Sequence, residues 1–562
     1  MSIFIGGAWP YANGSLHLGH LSSLLPGDIL ARYYRLKGEP VLYVSGSDCH
    51  GTPIAIRAEK EGVTPEAIAD AYHREFEDCF TRLGFSYDRY TRTDSSHHRR
   101  HVQELFLRLL ESGSLELREV EQTYCAACEK FLPDRYVEGL CPKCGAHARG
   151  DQCEACQTVL DPIDLLERRC KLCGSEPTSR QTEHYYLLLS RYQEELERYA
   201  QNASGWRDNA VHLTRRYLDE GLQDRAATRD LPWGVDVPLP GFEGKKIYVW
   251  IEAVSGYWTA SQLWAEETGQ DAAPFWSDDA LAYYIHGKDN IPFHTVILPA
   301  LLLGAGGLHL PDRIVSGEYL TLEGQKISTS RGWAVWVPDV LERYDPDSLR
   351  YFLTANSPEK HDGDFSWNEF IRSHNGELVN AFGNFVHRSL VFLQKSFDAR
   401  VPEGTLDETV RLELEALYER TGELIEQAEL KKALDEGFRF VRSANKYFDT
   451  RKPWVAVKKE PAHAADTLYT CVQIAANLAR LLSPFLPFAC TRLEGMLGTP
   501  FHLLDDQAAG AGITEPGQVL SCRWLFTEVP AGTSLGTIQP LFARIDIAQV
   551  DVETERLRNA LT

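Results

Sequence analysis

Pro10-Tyr11-Ala12-Asn13-Gly14-Ser15-Leu16-His17-Leu18-Gly19-His20 follows a short apolar stretch, Ile3 to Ile5, and opens an amphipathic run from Leu18 to Leu36. That order predicts a strand, a turn and a helix. A helix N-terminus offers unpaired backbone N–H groups and a partial positive charge, so such a turn suits phosphate. Gly14 and Gly19 allow close backbone approach, and the imidazoles of His17 and His20 can donate to charge developing on phosphate. Alone, this short motif reads more often as capping or surface histidines than as a catalytic pair.

A second stretch shifts that balance. Glu323-Gly324-Gln325-Lys326-Ile327-Ser328-Thr329-Ser330-Arg331-Gly332 is rich in small and polar residues and reads as a mobile loop carrying a phosphate-directed cation, Lys326. A turn bearing two imidazoles and a distant loop bearing an ammonium group together predict a nucleotidyl-transfer site. Alternating strand and helix patterns run from Ile3 to about residue 113, with the apolar run Pro40 to Ser45 and the amphipathic stretch Pro65 to Leu83 among them. Alternation of this kind implies a parallel sheet. It is interrupted from 115 to 229 and resumes in strand-like runs at Lys246 to Trp250, Ala282 to His286 and Arg313 to Ser316. One nucleotide-binding unit is therefore read as split by an insertion, with its active site beyond the carboxyl ends of the strands.

The interruption holds eight of the 13 cysteines, in the pairs Cys125/Cys128, Cys141/Cys144, Cys153/Cys156 and Cys170/Cys173. Two Cys-x-x-Cys pairs make one tetrahedral four-thiolate zinc site, so four pairs predict two structural zinc ions with no open coordination position. Disulfides are the competing reading, disfavoured in a chain without a secretory signal. Loop length does not choose which pairs share a metal. A nested arrangement is preferred, with Cys141, Cys144, Cys153 and Cys156 inside and Cys125, Cys128, Cys170 and Cys173 outside. Cys49, Cys79, Cys471, Cys490 and Cys522 read as ordinary buried thiols.

From about Trp367 to Leu497 long 3.6-residue periods dominate, as in Asn380 to His387 and Ala475 to Leu482, which predicts a helical bundle. Asp505 to Val519 reads as a loop or linker. The expected division is 1–114 and 230–325 for the two halves of the nucleotide-binding domain, 115–229 for the insertion, 326–366 for the Lys326 loop and a connecting domain, 367–530 for the helical domain and 531–562 for a tail. With 562 residues and 43% hydrophobic content, several buried cores are affordable. No stretch approaches the roughly 18 apolar residues of a membrane span, and a cytoplasmic protein without a membrane partner is expected. The formal charge of −22 argues globally against a nucleic-acid partner. A large enzyme can nevertheless keep a local basic surface while its other faces are acidic.

On these motifs the chain resembles the class I aminoacyl-tRNA synthetases, and within them the methionyl-tRNA synthetases of the archaeal-like, two-knuckle kind. The resemblance covers nearly the whole length. It also rests on Gly46-Ser47-Asp48-Cys49-His50-Gly51-Thr52-Pro53, Tyr248-Val249-Trp250, His286-Gly287-Lys288-Asp289-Asn290-Ile291-Pro292-Phe293-His294, Asn384-Phe385-Val386-His387-Arg388 and Lys452-Pro453-Trp454. It implies a Rossmann-like α/β catalytic domain split by a zinc-binding insertion and followed by an all-α anticodon-binding bundle. It also supports the nested zinc pairing, since relatives with one knuckle lack the inner segment. The implied activity is ATP-dependent conversion of L-methionine to methionyl-adenylate, with Mg²⁺ accompanying ATP, and transfer to the 3′ end of tRNA(Met).

The resemblance implies catalytic roles for His17, His20 and Lys326, and ATP contacts from Tyr11, Asn13, Gly19, Lys288, Asp289, Ser328 and Thr329. Asp48 would meet the substrate ammonium, while Trp9, Trp250, Tyr257, His294 and Leu298 would line the side-chain pocket. Asn384, Arg388 and Trp454 would read the anticodon, for which paired hydrogen-bonding groups and an exposed stacking ring are suitable. Without the resemblance, the aromatics read as core and Asp48 as a turn cap.

This sequence departs from the family at four places. The second loop lysine is Thr329, with Arg331 as a partial substitute. Trp9 stands for leucine, Leu298 for tryptophan and Val254 for proline, and the first two suggest a reciprocal large-for-small exchange on one pocket wall. The alternatives are a class I ligase for another apolar amino acid, whose editing insertion would be much larger than 115–229, and a non-charging paralogue that binds tRNA or an amino acid. The lack of an obvious appended OB-fold domain points to a monomer.

Overall fold

The computed structural model describes residues 1–132, 136–150, 153, 155–156, 158, 160–498 and 523–561. Cys522 and the segment 505–519 lie outside them. Strand β1 (Ser2–Gly7), helix α1 (Leu18–Lys37), strand β2 (Val41–Ser47) and strand β3 (Arg89–Arg92) begin the chain, followed by helix α2 (Ser96–Glu111). Two long antiparallel strands, β4 (Leu115–Cys125) and β5 (Thr178–Leu187), lead into and out of the cysteine-rich segment. Helices α3 (Val249–Val254) and α4 (Gly256–Thr268) then precede strand β6 (Ala280–Gly287), helix α5 (Leu298–Ala305) and strand β7 (Arg313–Gly317).

The five strands β7-β6-β1-β2-β3 form one parallel sheet, in that order. The chain winds outward from β1 through β2 and β3, then returns on the opposite side of β1 with β6 and β7. The order thus reverses between β1 and β6, the point at which sheets of this kind bind ligands in the crevice outside the carboxyl ends of the strands. The loop after β1 carries His17, and the loop after β6 carries Lys288.

One strand expectation fails. Lys246 to Trp250 does not rejoin the parallel sheet: Lys245–Ile247 pairs antiparallel with Thr228–Asp230, and the chain turns helical at Val249. A short apolar run fits a buried helix as well as a strand, and here Tyr248 caps α3.

Helix α1 is also less amphipathic than its sequence suggests, because both faces are covered. Leu18, Leu21, Leu24, Leu25 and Ile29 are buried, and so are Tyr33 and Tyr34. The Tyr33 ring packs on Trp524 at 4.9 Å and its hydroxyl reaches Glu426 at 2.7 Å. The helix stops at Gly38, whose positive φ of 85° closes the left-handed C-cap.

The second half is built from α6 (Pro346–Ala355), α7 (Asn384–Ser396), α8 (Glu408–Glu426), α9 (Leu430–Arg451), α10 (Pro453–Lys459), α11 (Pro461–Leu482) and, near the end, α12 (Gln549–Asn559). A buried ion cluster ties it to α1. Arg350 Nη2 lies 2.6 Å from Asp28 Oδ2 and donates to Pro484 O at 2.8 Å, while Arg32 Nε lies 2.9 Å from Asp28. Burial works to raise the Asp28 pKa, yet Arg32, Arg350 and two Ser86 hydrogen bonds outweigh it and hold the carboxyl down to about 2. Removing one partner of such a cluster costs about 3–5 kcal/mol, because a buried charge is left uncompensated.

The end of the chain folds back: Arg343 and Tyr344 bond the buried Glu553 of α12 at 2.7 and 3.1 Å. Among the described residues no helix is long and apolar enough to cross a membrane.

Candidate active site and anticodon surface

The end of the crevice that the sequence assigns to phosphate is organised by the first turn of α1. His17 is the N-cap; its Nδ1 accepts from the Gly19 N–H at 3.1 Å, and His20 Nδ1 accepts from the His17 N–H at 3.1 Å. This is a reciprocal capping box made of two imidazoles. Because each Nδ1 is an acceptor, each ring proton sits on Nε2, leaving two N–H donors free of the cap. The rings stack at 3.9 Å. Burial lowers the His17 pKa to about 2, helped by His20, and lowers that of His20 to about 4, so both rings are neutral donors at neutral pH.

The Lys326 loop meets this turn. Leu18 N–H donates to Val335 O at 3.2 Å and Val337 N–H to Leu16 O at 2.8 Å, and His17 bridges Trp336. A methyl group placed on Gly19 would lie 3.4 Å from Ile327 Cδ1, so the residue after Lys326 packs directly on the helix start. The loop closes on itself through Ser328 and Trp333, bonded at 2.9 and 3.0 Å. Arg331 Nε bonds Ser328 Oγ at 3.1 Å, and Thr329 opens the 3-10 turn Thr329–Arg331. Sequence reading missed Tyr319, whose ring lies beneath the Lys288 ammonium at 3.9 Å and the Lys326 ammonium at 5.5 Å. Its hydroxyl bonds Asp289, while Lys288 also pairs with Glu318 at 2.6 Å and Asp362 at 3.1 Å. Asn13 gives its carbonyl to Arg57, and Tyr11 pairs through its backbone with Asp48.

The other end is deeper. Asp48, buried at the end of β2, has its backbone N–H bonded to Pro10 O at 2.9 Å and a carboxylate oxygen 3.2 Å from the His50 N–H. Burial, with Glu252 and Asp94 adding like charge, raises its pKa well above the ordinary range; an arriving ammonium group would reverse that. Glu252 is another residue the sequence did not reveal. It is fully buried on α3, with Oε1 3.0 Å from His50 Nδ1 and 3.2 Å from His98 Nε2.

Tyr257 and His294 form one unit: the Tyr257 hydroxyl bonds His294 Nε2 at 2.7 Å, and His294 Nδ1–H donates to Asn290 O at 2.8 Å. Both polar edges of the imidazole are thereby occupied, whereas the Trp9 Nε1–H is buried without a partner among the described residues. Trp250 packs on Phe293 at 4.8 Å, beside His294. Trp9 slots between two glycines, since a Cβ on Gly46 or Gly256 would fall 2.5 or 2.6 Å from its ring. The ring meets Tyr257 edge-on at 6.5 Å. Trp9 and Leu298 belong to the same hydrophobic cluster, Leu298 at the start of α5 and Trp9 at its edge.

The eight paired cysteines converge as two sets, Cys125, Cys128, Cys170, Cys173 and Cys141, Cys144, Cys153, Cys156, each with all sulfurs within 4.8 Å of one another. This is the nested arrangement. The sulfur separations of 3.5 and 3.9 Å in the outer set and 3.8 and 3.6 Å in the inner set match the edge of a tetrahedron with Zn–S bonds of about 2.3 Å. Gly145 and Gly174, at φ of 72° and 73°, supply the left-handed residue after a Cys-x-x-Cys turn. The donor set and its spacing fit zinc.

With this geometry in hand, the comparisons are decisive. A family model described as tRNA synthetases class I (M) matches residues 3–390, and one described as the anticodon binding domain of methionyl tRNA ligase matches residues 400–559. The chain belongs to the methionyl-tRNA synthetase family. Methionine–tRNA ligases of Bacillus cereus strain Q1 and Bacillus anthracis strain A0248 are 56% and 57% identical to it, each covered in full and covering the whole chain. A solved Mycobacterium tuberculosis methionyl-tRNA synthetase in complex with methionyl-adenylate is 26% identical, with a TM-score of 0.77 over 97% of this chain and 100% of its own.

In the helical part of the synthetase, Asn384 and Arg388 lie one turn apart on α7. Asn384 Nδ2 donates to Asn445 Oδ1 at 3.1 Å, and Arg388 pairs with Asp449 at 2.6 Å while lying over the Phe448 ring at 4.7 Å. Trp454, 41% exposed on α10, lies 5.8 Å from Phe448. Arg388, Phe448 and Trp454 line a surface cavity of about 290 Å³ together with His387 and Lys395. The structure thus gathers Arg388 and Trp454 around one cavity, with Asn384 a turn away.

Proposed function

We propose that this synthetase activates L-methionine with ATP and passes it to tRNA(Met), with the roles the sequence suggested. A methionine carboxylate oxygen attacks the ATP α-phosphorus and pyrophosphate departs, giving methionyl-adenylate. A hydroxyl of the terminal tRNA ribose then attacks the methionyl carbonyl, and AMP leaves. The two Nε2–H groups of His17 and His20 and the ammonium of Lys326 stabilise charge on the phosphates, while Tyr11, Asn13, Gly19, Lys288, Asp289, Ser328 and Thr329 hold the nucleotide, which arrives with Mg²⁺. Asp48 takes the substrate ammonium. Trp9, Trp250, Tyr257, His294 and Leu298 enclose the thioether side chain, where selectivity comes from shape and from the pairing of Tyr257 and His294 with each other. Two zinc ions hold the knuckles, and Asn384, Arg388 and Trp454 read the anticodon. Residues 1–114 and 230–325 would do the chemistry, and 367–530 the tRNA reading.

The observation that carries this reading is the packing of Ile327 on Gly19, which brings the Lys326 loop to the imidazole-capped turn. Two assays test it. Methionine-dependent pyrophosphate exchange should exceed exchange with leucine, isoleucine or valine, and equal rates with another amino acid would overturn the substrate assignment. Arg388→Glu should depress tRNA charging and spare pyrophosphate exchange; equal loss in both would remove Arg388 from anticodon reading. A monomeric cytoplasmic enzyme belongs to the same proposal, and sedimentation tests the former.

A further inference from the structure

Helix α2 carries three histidines, and only His98 faces the amino-acid pocket. His97 and His101, one turn apart, face Glu266 of α4 instead. His97 Nε2 lies 3.0 Å from Thr259 O, a carbonyl that can only accept, so a proton is on Nε2 and, in the neutral ring, the lone pair is on Nδ1. His101 Nδ1 lies 3.0 Å from the Glu104 carboxylate, which by the same logic puts the lone pair of the neutral ring on Nε2. Those two lone pairs meet the Glu266 carboxylate at 3.2 Å and 3.5 Å, and all three ligand atoms lie within 4.8 Å of one another. Zinc–nitrogen and zinc–oxygen bonds of about 2.0–2.1 Å set tetrahedral ligand separations near those values. The backbone carbonyl and the carboxylate behind the rings are the partners that orient metal-binding histidines.

One group already sits among these atoms. Arg100 Nη2 lies 2.8 Å from Glu266 Oε1, 3.3 Å from His97 Nδ1 and 3.2 Å from His101 Nε2. A single NH₂ group has two protons for these three acceptors, so the arrangement is under-satisfied. The Arg100 side chain is 54% exposed and can swing into solvent, whereas the histidines are 12% and 11% exposed and held in place.

We propose that His97, His101 and Glu266 form a third metal site, distinct from the cysteine knuckles, that takes Zn²⁺ when Arg100 moves aside. Three protein ligands leave one position for water. The ion would staple α2 to α4, the helix that carries Tyr257 and whose Thr259 hydroxyl bonds His98 Nδ1 at 2.8 Å. It would therefore stiffen the layer behind the amino-acid pocket.

The test is zinc titration of the untagged full-length enzyme by calorimetry, after its resident zinc has been counted, so that the increment is read independently of the cysteine sites. One further saturable equivalent is expected. It should vanish in His97→Ala and in His101→Ala with resident zinc unchanged, weaken roughly tenfold in Glu104→Gln, and tighten in Arg100→Ala. The variant at exposed Arg100 guards against misfolding as an explanation of loss. No saturable increment in either the natural protein or Arg100→Ala overturns the site, as does an increment that survives both histidine substitutions.

Discussion

The two ends of the crevice are built in opposite ways. At the phosphate end a handful of neighbouring residues organise themselves: His17 and His20 are three positions apart, cap each other's backbone and present two donors by the geometry of one helix start. At the amino-acid end nothing local suffices. Asp48 follows β2, Glu252 lies on α3, His98 on α2 and His294 on the turn before α5, and the pocket exists only because the sheet and its covering helices bring them together. The first kind of site is complete within one helix start. The second is a buried polar network in which each member depends on the others.

The strongest way to break this contrast is to remove Glu252. If the amino-acid end is a coupled network, Glu252→Ala strands His50 and His98 in the interior and should lower stability by about 3–5 kcal/mol, read as a drop in Tm in thermal unfolding. A shift no larger than that of a surface substitution would show that the histidines do not depend on it. At the phosphate end, His20→Ala should reduce the rate of methionine-dependent pyrophosphate exchange about 10²–10³-fold while leaving the methionine KM nearly unchanged, as expected when a transition-state donor is lost. A change confined to KM would reassign the residue to ground-state binding.

Smaller effects sharpen the comparison. Tyr257→Phe removes the bond to His294 and should cost about 1 kcal/mol, appearing as an approximately fivefold rise in methionine KM with the ATP KM unaffected. The pH dependence is subtler still. His17 and His20 are protonated more readily in the unfolded chain than in the fold, where burial lowers their pKa to about 2 and about 4. Their contribution to stability is thus complete above the ordinary histidine range and declines as pH falls below about 6.5. Pyrophosphate exchange should accordingly show no loss attributable to these rings between pH 8 and 6.5, and replacing His20 with glutamine should leave the shape of the profile over that interval unaltered.

Periodicity located β1, α1, β2, β6 and β7 because each is a strongly patterned segment, and failed at Lys246 to Trp250 because a run of four apolar residues after a lysine carries no period of its own. The cysteine spacing marked two candidate metal sites, and the nested pairing it left to the family resemblance is the one formed where antiparallel β4 and β5 bring Cys125 back beside Cys173. Tyr319 and Glu252 left no trace, since a tyrosine after a strand and a glutamate on a helix are ordinary until their neighbours are known.

What the sequence by itself determined was the chemistry that can be written into a few consecutive residues: the imidazole-capped turn, the lysine loop, the Cys-x-x-Cys turns and the succession of strands and helices. Only the tertiary structure decided which distant groups act on one another by charge or hydrogen bond, as Glu252 does on Asp48, His98 with Thr259, and Arg100 with Glu266. The physical reason is range. Hydrogen bonds in a helix cap are fixed by the positions of neighbours along the chain, whereas the strength of a buried charge depends on every group that excludes water from it.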